Sequence, residues 1–229
     1  KIEEMEVMFL MDRFGYARCI DIATYERNKE AADNENKYIF SCKNTGKICL
    51  FTNTGQLHTV KVMDIPFGKF RDKGVPIDNI SNFNGEKEIV IAAASQTSLN
   101  LYRLIFVTKQ AMMKVVDGGE FDVAKRTVAA TKLADDDEVV SVAVLNEQKQ
   151  IVLQSKDGYF LKFGVEEIPE KKKNAIGVRG MKLTGTDHIE NVYYLCSGVE
   201  NTVEYRDKSL ELHKLKAAKR DGKGTKIRV

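Results

Sequence analysis

Two segments of this chain share one spacing. "ICLFTNTGQLHTVKVMDIPFGKFRDKGVPI" (48–77) and "IVLQSKDGYFLKFGVEEIPEKKKNAIGVRG" (151–180) each open on a short apolar run and turn at a glycine, Gly55 or Gly158. Eleven residues after the turn each has Ile-Pro, with Pro66 or Pro169, and eight residues later a glycine followed by valine, at Gly74 or Gly177. Weaker copies lie at 9–26, 105–121 and 203–224. Their turns fall at Gly15, Gln110 and Lys208-Ser209, so turn positions 15, 55, 110, 158 and 209 are 40, 55, 48 and 51 residues apart. A period of this length constrains the fold more than any single motif. Each copy is one supersecondary unit that buries its apolar face only against its neighbours.

Within a copy the pattern is that of strands. Apolar residues fall at +2, +5, +7 and +10 from the turn: Leu57, Val60, Val62 and Ile65 in the second copy, Phe160, Phe163, Val165 and Ile168 in the fourth. Met112 takes the +2 position of the third copy when Gln110 is the turn. Strict strand alternation runs in steps of two, so the step of three predicts a β-bulge in the second strand. A second strand pair follows in each copy, such as 178–183 and 190–195, joined by a polar turn. Four strands per unit, five times over, predict an all-β, propeller-like array of about five four-stranded blades, with six blades or an open ring also compatible. No linker or low-complexity stretch interrupts residues 1–229, which read as one domain with five repeats.

Hydrophobic residues make up 43% of the 229, enough for a core of that size, and 30% are charged. No apolar run approaches the roughly 18 residues of a membrane helix. The chain opens on "KIEEMEVMFL", acidic and without a cleavage pattern or initiating Met, and reads as a fragment of a longer protein. Cys19, Cys42, Cys49 and Cys196 show no paired spacing, and His58, His188 and His213 are scattered. That is the pattern of reduced, mostly buried thiols in a cytosolic protein, and no metal site is assigned.

The net charge is only +3, but it is unevenly placed. Residues 1–40 hold nine acids and six bases, whereas 214–228 hold seven bases and one acid. The bases also recur at one place in the repeat, the connection after the Ile-Pro position. The second copy has Lys69, Arg71 and Lys73 there, and the third has Lys125 and Arg126. The fourth has Lys171, Lys172, Lys173, Arg179 and Lys182, and the fifth has Lys216, Lys219, Arg220, Lys223, Lys226 and Arg228. In the first copy the matching stretch, "RNKEAADNENK", dilutes Arg27 and Lys29 with acids. Equivalent positions of a closed array lie on one rim, so these cations are candidate contacts to a duplex DNA backbone bent along it. No recognition helix or zinc-finger spacing points to base readout. A single lysine-rich loop read alone is a solvated turn or, for Lys171–Lys173, an address signal; recurrence is what favours the DNA reading.

"NAIGVRGMKL" (174–183), the strand–turn–strand–Ile-Pro–basic loop unit and the opening "EVMFLMDRFGYARCIDIATYE" together resemble the C-terminal β-pinwheel of bacterial type IIA topoisomerase A subunits, those of DNA gyrase and topoisomerase IV. The resemblance covers essentially the whole chain. It implies a DNA-binding module that bends or wraps duplex DNA within an A2B2 holoenzyme in the bacterial cytoplasm, at the nucleoid. It also implies that the cleavage tyrosine, the ATPase partner, ATP and magnesium lie outside this fragment, which holds no cofactor and is monomeric by itself. Gyrase's Gln-Arg-Arg-Gly-Gly-Lys-Gly box is missing from the first repeat, where 27–37 is acidic and lacks glycine. That departure leans toward the topoisomerase IV type, although "KRDGKG" (219–224) looks like a displaced or partial box.

Enzymatic readings are weaker. "DDDE" (135–138) falls where the repeat places a polar turn, and "DGG" (117–119) and "DGKG" (221–224) lack a following phosphate-binding helix. No nucleophile–base arrangement follows from the spacing, so no catalytic residue is assigned. A protein-interaction propeller is the remaining alternative, and an exposed aromatic or methionine patch, for which Met112 and Met113 are the only hint, would mark it.

Overall fold

A computed structural model describes residues 1–228. The elements run β1 (Glu6–Asp12), β2 (Tyr16–Asp21), α1 (Ile22–Arg27), α2 (Lys29–Glu35), β3 (Asn36–Lys43), β4 (Lys47–Thr52), β5 (Gln56–Lys61), β6 (Val75–Pro76), β7 (Val90–Ser95) and α3 (Gln96–Leu99). Then follow β8 (Arg103–Thr108), β9 (Met112–Asp117), β10 (Thr127–Ala129), β11 (Val139–Leu145), β12 (Gln148–Ser155), β13 (Tyr159–Gly164), β14 (Val178–Arg179), β15 (Ile189–Cys196), β16 (Thr202–Tyr205), β17 (Lys208–Glu211) and β18 (Thr225–Lys226). Among the described residues no helix is long and apolar enough to cross a membrane.

The strands form four antiparallel four-stranded sheets, β3-β1-β2-β6, β10-β5-β4-β7, β11-β8-β9-β14 and β15-β12-β13-β18, and a two-stranded hairpin, β16-β17. The fifth repeat is thus a hairpin among the described residues rather than a full blade. A blade's four strands do not all come from one repeat. The short edge strands β6, β10, β14 and β18 each follow the next repeat's hairpin and pair back onto the preceding blade. Residues 178–183 and 190–195, expected as one strand pair, therefore serve two different sheets.

The turns explain the repeat. In four hairpins the last residue of the first strand, Asp12, Thr52, Thr108 or Ser155, accepts the N–H four residues on with its side chain. The same residues accept the N–H three residues on, at Gly15, Gly55, Ala111 and Gly158, with their carbonyls. These third residues all have positive φ, between 67° and 92°. The left-handed residue of the third repeat is therefore Ala111, not Gln110. The +2 core position passes from Met112, half-buried, to Met113, fully buried. The fifth turn is a two-residue Arg206-Asp207 turn with both φ positive, and Lys208 and Ser209 are already in strand.

No bulge interrupts the hairpins; β1–β2, β4–β5, β8–β9 and β12–β13 keep unbroken register. The +2 and +5 residues lie on opposite faces of the sheet, and both faces are buried. Register shifts occur instead where the returning strands β3, β7, β11 and β15 pair.

The fold packs as two compact units, residues 1–101 with 121–130, and residues 102–120 with 131–229. In the first, Phe9, Met11 and Cys19 of one blade pack on Ile48, Leu50 and Val60 of the next. The first blade's other face is covered by α1 and α2 through Tyr25 and Ala32. In the second, Ile105, Met113 and Val115 meet Ile151, Leu161 and Phe163, while Val152, Phe160 and Leu195 meet Tyr205 of the last hairpin and Leu212 just after it. Each such large apolar side chain contributes about 1.5–3 kcal/mol when fully buried. Cys19, Cys42 and Cys49 are buried free thiols, and Cys196 is half-buried.

Candidate nucleic-acid interface

The connection after each Ile-Pro position runs back to the preceding blade, and main-chain bonds fix it there. In the first unit Cys19 N–H donates to Pro66 O at 2.8 Å, and Gly68 N–H donates to Cys19 O. In the second unit Val115 N–H donates to Pro169 O at 3.0 Å, Lys171 N–H to Val115 O, and Ala218 N–H to Lys162 O. Three of the four connections, those leading to β6, β14 and β18, then enter the edge strand through a left-handed glycine. A Cβ on Gly74 would lie 2.2 Å from Ala17 O, on Gly177 2.3 Å from Met113 O, and on Gly224 2.6 Å from Phe160 O. Only glycine fits so close to another backbone.

Side chains of the preceding blade's second strand hold these connections from beneath. Arg18 Nη2 donates to Phe70 O at 3.1 Å with its guanidinium over the Phe70 ring, and Thr59 Oγ1 donates to Lys125 O at 3.0 Å. Lys114 Nζ donates to the carbonyls of Lys172 (3.0 Å), Lys173 (3.0 Å) and Ala175 (2.6 Å). Lys162 Nζ donates to those of Leu212 (3.2 Å), His213 (2.9 Å) and Leu215 (3.0 Å). Both lysines are buried, at 1% and 5% exposure. Burial pushes the Lys114 ammonium down to about 8 against the opposing pull of Glu120, and burial also lowers Lys162.

Most of the cations expected at the interface are exposed on these connections: Lys69, Arg71 and Lys73; Lys125 and Arg126; Lys171 and Lys172; Lys182; Lys216 and Lys219; Lys223, Lys226 and Arg228. Several of them rest on neighbours. Lys73 Nζ lies 4.2 Å from the centre of the Tyr16 ring, and Lys223 and Lys226 lie 5.2 and 5.7 Å from that of Tyr159, the equivalent residue of the fourth repeat. Arg126 reaches Ile80 O at 3.3 Å.

Three further expected cations are engaged within the fold. Lys173 N–H donates to Glu120 Oε1 and its Nζ to Glu120 O. Arg220 repeats that clasp on Glu167, N–H to Oε1 and Nε to O, and its Nη1 donates to Arg179 O. Arg179 pairs with Asp221 through two bonds, of 2.5 and 3.2 Å. The Arg179 guanidinium holds the Asp221 carboxyl below its ordinary range. The "KRDGKG" run is therefore the last connection, folded onto the fourth blade, with Gly224 at the strand entry.

The first-repeat stretch forms no such connection. Residues 27–37 run from the end of α1 through α2 into β3. Asp21 caps α1 by accepting Thr24 N–H at 2.7 Å, and Lys29 is paired with Asp33. Of the acidic run 135–138, Asp137 ties its segment to the β8–β9 turn, accepting the N–H groups of Gln110 and Glu138 through one oxygen. Lys114, Lys162 and Arg18 were not singled out from the sequence. Their one legible signal was a cation inside an otherwise apolar strand, as in "MMKVV" and "FLKFG".

A model of the DNA gyrase C-terminal domain, a β-propeller, matches residues 102–146 and 149–194. The DNA gyrase A subunit of Lawsonia intracellularis is 26% identical over 200 residues, 82% of this chain and 24% of that protein. Its counterpart in Helicobacter pylori strain 26695 is 29% identical over 187 residues, 76% and 23% of the two chains. This chain thus spans about a quarter of the length of the curated relatives it matches. Among solved structures, the C-terminal domain of DNA topoisomerase IV superposes with a TM-score of 0.85 at 23% identity, over 99% of this chain and 74% of that one. The E. coli ParC C-terminal domain gives 0.77 at 17% identity, over 97% and 94%, and the DNA gyrase A C-terminal domain 0.63 at 16%, over 96% and 76%. Family model, curated relatives and superpositions agree: the chain is similar to the C-terminal β-propeller domain of DNA gyrase A subunits, and it has the fold of the topoisomerase IV and gyrase A C-terminal domains.

Proposed function

We propose that this chain binds duplex DNA through its phosphate backbone and bends it, as the non-catalytic C-terminal domain of a type IIA topoisomerase A subunit. The observation that carries this reading is the recurrence of exposed cations on one structurally equivalent connection in four repeats, each connection held from beneath by the preceding blade. Fixed cations meet phosphates with less ordering cost than cations on mobile loops. An ATPase subunit, together with the remainder of the A chain, would complete an A2B2 holoenzyme at the nucleoid, with ATP and magnesium bound there rather than here. The topoisomerase IV type is favoured over gyrase. The short acidic helix α2 stands where a glycine-rich basic box would be, and the superposition on the topoisomerase IV domain, 0.85 against 0.63 for gyrase, goes with that choice.

The test is binding of a mixed-sequence linear duplex over a range of salt. Tight binding at low salt, with a steep linear fall of log K against log salt, is expected. No binding at low salt would overturn the reading in favour of a protein-interaction propeller. Ligation of nicked circles in the presence of the chain then separates the subfamilies. An unchanged linking number is expected for simple bending, and a positive shift would assign gyrase-type wrapping.

A further inference from the structure

We propose that Lys114 is the positioning residue for the Lys171–Lys172 pair: its buried ammonium gathers the carbonyls of Lys172, Lys173 and Ala175 and so sets the shape in which those two exposed lysines meet a phosphate backbone. This rests on the DNA-binding reading above. Three carbonyl oxygens within 3.0 Å of one nitrogen converge their negative ends on a single point. That arrangement is unfavourable without a cation at its centre, and a buried carbonyl without a donor turns toward water. An ammonium has three protons, and all three are used here. The turn is closed further by Ala175 N–H on Lys172 O at 3.1 Å and by the Glu120 carboxylate on Lys173 N–H at 3.0 Å. The Phe106 ring, 5.5 Å from Lys114 Nζ, forms part of the lysine's surroundings. With the carbonyls of 172 and 173 drawn inward, the side chains of Lys171 and Lys172 are left on the outside, and both are exposed. Lys162 makes the same three-carbonyl cage under the next connection, so the device is repeated in the fold.

The test compares salt slopes of duplex DNA binding for the unmodified chain, Lys114→Met, Lys171→Ala/Lys172→Ala, and the triple variant. Each lost phosphate contact lowers the slope by roughly 0.9. Lys114→Met alone should flatten the slope by about 1.8, two contacts' worth. Adding the 171/172 pair should then change little, because those lysines are already displaced. Full additivity, or an unchanged slope for a folded Lys114→Met or Lys114→Gln variant, would overturn the proposal. One measurement needs no variant. The Lys173 and Ala175 amides of the unmodified chain should exchange slowly with solvent in the absence of DNA, and exchange at the unprotected rate would show that no preformed edge exists. If the unmodified chain does not bind DNA at all, it is the functional reading that fails, whatever the amides do.

Discussion

His58 Nε2 lies 2.7 Å from Glu88 Oε2 in the second blade, with both side chains buried. His58 Nδ1 meets Thr127 Oγ1 at 2.8 Å, so the pair fastens the edge strand β10 to its sheet. Burial pushes the Glu88 carboxyl up, but hydrogen bonds from Thr52, Thr54, the Asn84 N–H and His58 outweigh it and hold the carboxyl below its ordinary range. A depressed carboxyl contributes stability that is present above its unfolded-state value and is lost as pH falls through its folded-state value. Glu88→Ala should cost about 3 kcal/mol at pH 7 by leaving buried donors unpaired. In urea melts the gap to the unmodified chain should begin to narrow as pH falls below about 4 and should go on narrowing as pH falls through the lower folded-state value. A gap independent of pH would contradict the assignment.

Gly177 and Gly185 both have positive φ, 103° and 61°, but their surroundings differ. A Cβ at Gly185 meets nothing within 4 Å, whereas at Gly177 it would be 2.3 Å from a backbone carbonyl oxygen. Gly185→Ala should therefore cost only about 1 kcal/mol, the strain of left-handed backbone. Gly177→Ala should cost about 3 kcal/mol or more, because β14 must leave β9 to relieve the clash. Urea midpoints of the two variants give the comparison directly.

Arg179, expected from its position to contact DNA, is already paired with Asp221. Asp221→Asn should release it and steepen the salt slope of DNA binding by roughly 0.9, one added phosphate contact. Asparagine is chosen because residue 221 has φ of 70°, which asparagine tolerates. Arg179→Ala should leave the slope nearly unchanged. A large loss on Arg179→Ala would show that the pair opens in the complex.

Lys171, Lys172 and Lys173 should not behave alike. Replacing the first two with alanine should flatten the salt slope with little effect on thermal stability. Lys173→Ala should instead lower stability by about 1 kcal/mol, since it removes the Nζ bond to Glu120 O, and should leave the slope nearly intact. Melting and binding measured on the same preparations distinguish the two roles.

The strand periodicity, the turn positions at 15, 55 and 158, the Ile-Pro spacing and the recurring basic connection were all legible in the amino-acid order. Each is a local rule, in which a turn needs a left-handed residue and a strand an apolar run, so it repeats wherever the unit repeats. The third turn was misplaced by one residue because Ala111 occupies a position that glycine usually marks. The Thr108 hydroxyl cap, equivalent to Asp12, Thr52 and Ser155, was the signal that could have corrected it. The step of three read as a bulge because one strand gives no sign that both of its faces will be covered. Which blade each edge strand joins depends on pairings between segments up to about 70 residues apart, and no local rule contains them. The same is true of the cations. Lys114, Lys173 and Arg179 are lysines and arginines like their neighbours in the sequence. Packing alone decided that one would be buried under three carbonyls, one clasped to Glu120 and one paired with Asp221, while Lys171 and Lys172 stayed in water. Side-chain charge is fixed by residue type, but its availability to a partner is set by which backbone and carboxylate groups the tertiary fold brings within hydrogen-bonding reach.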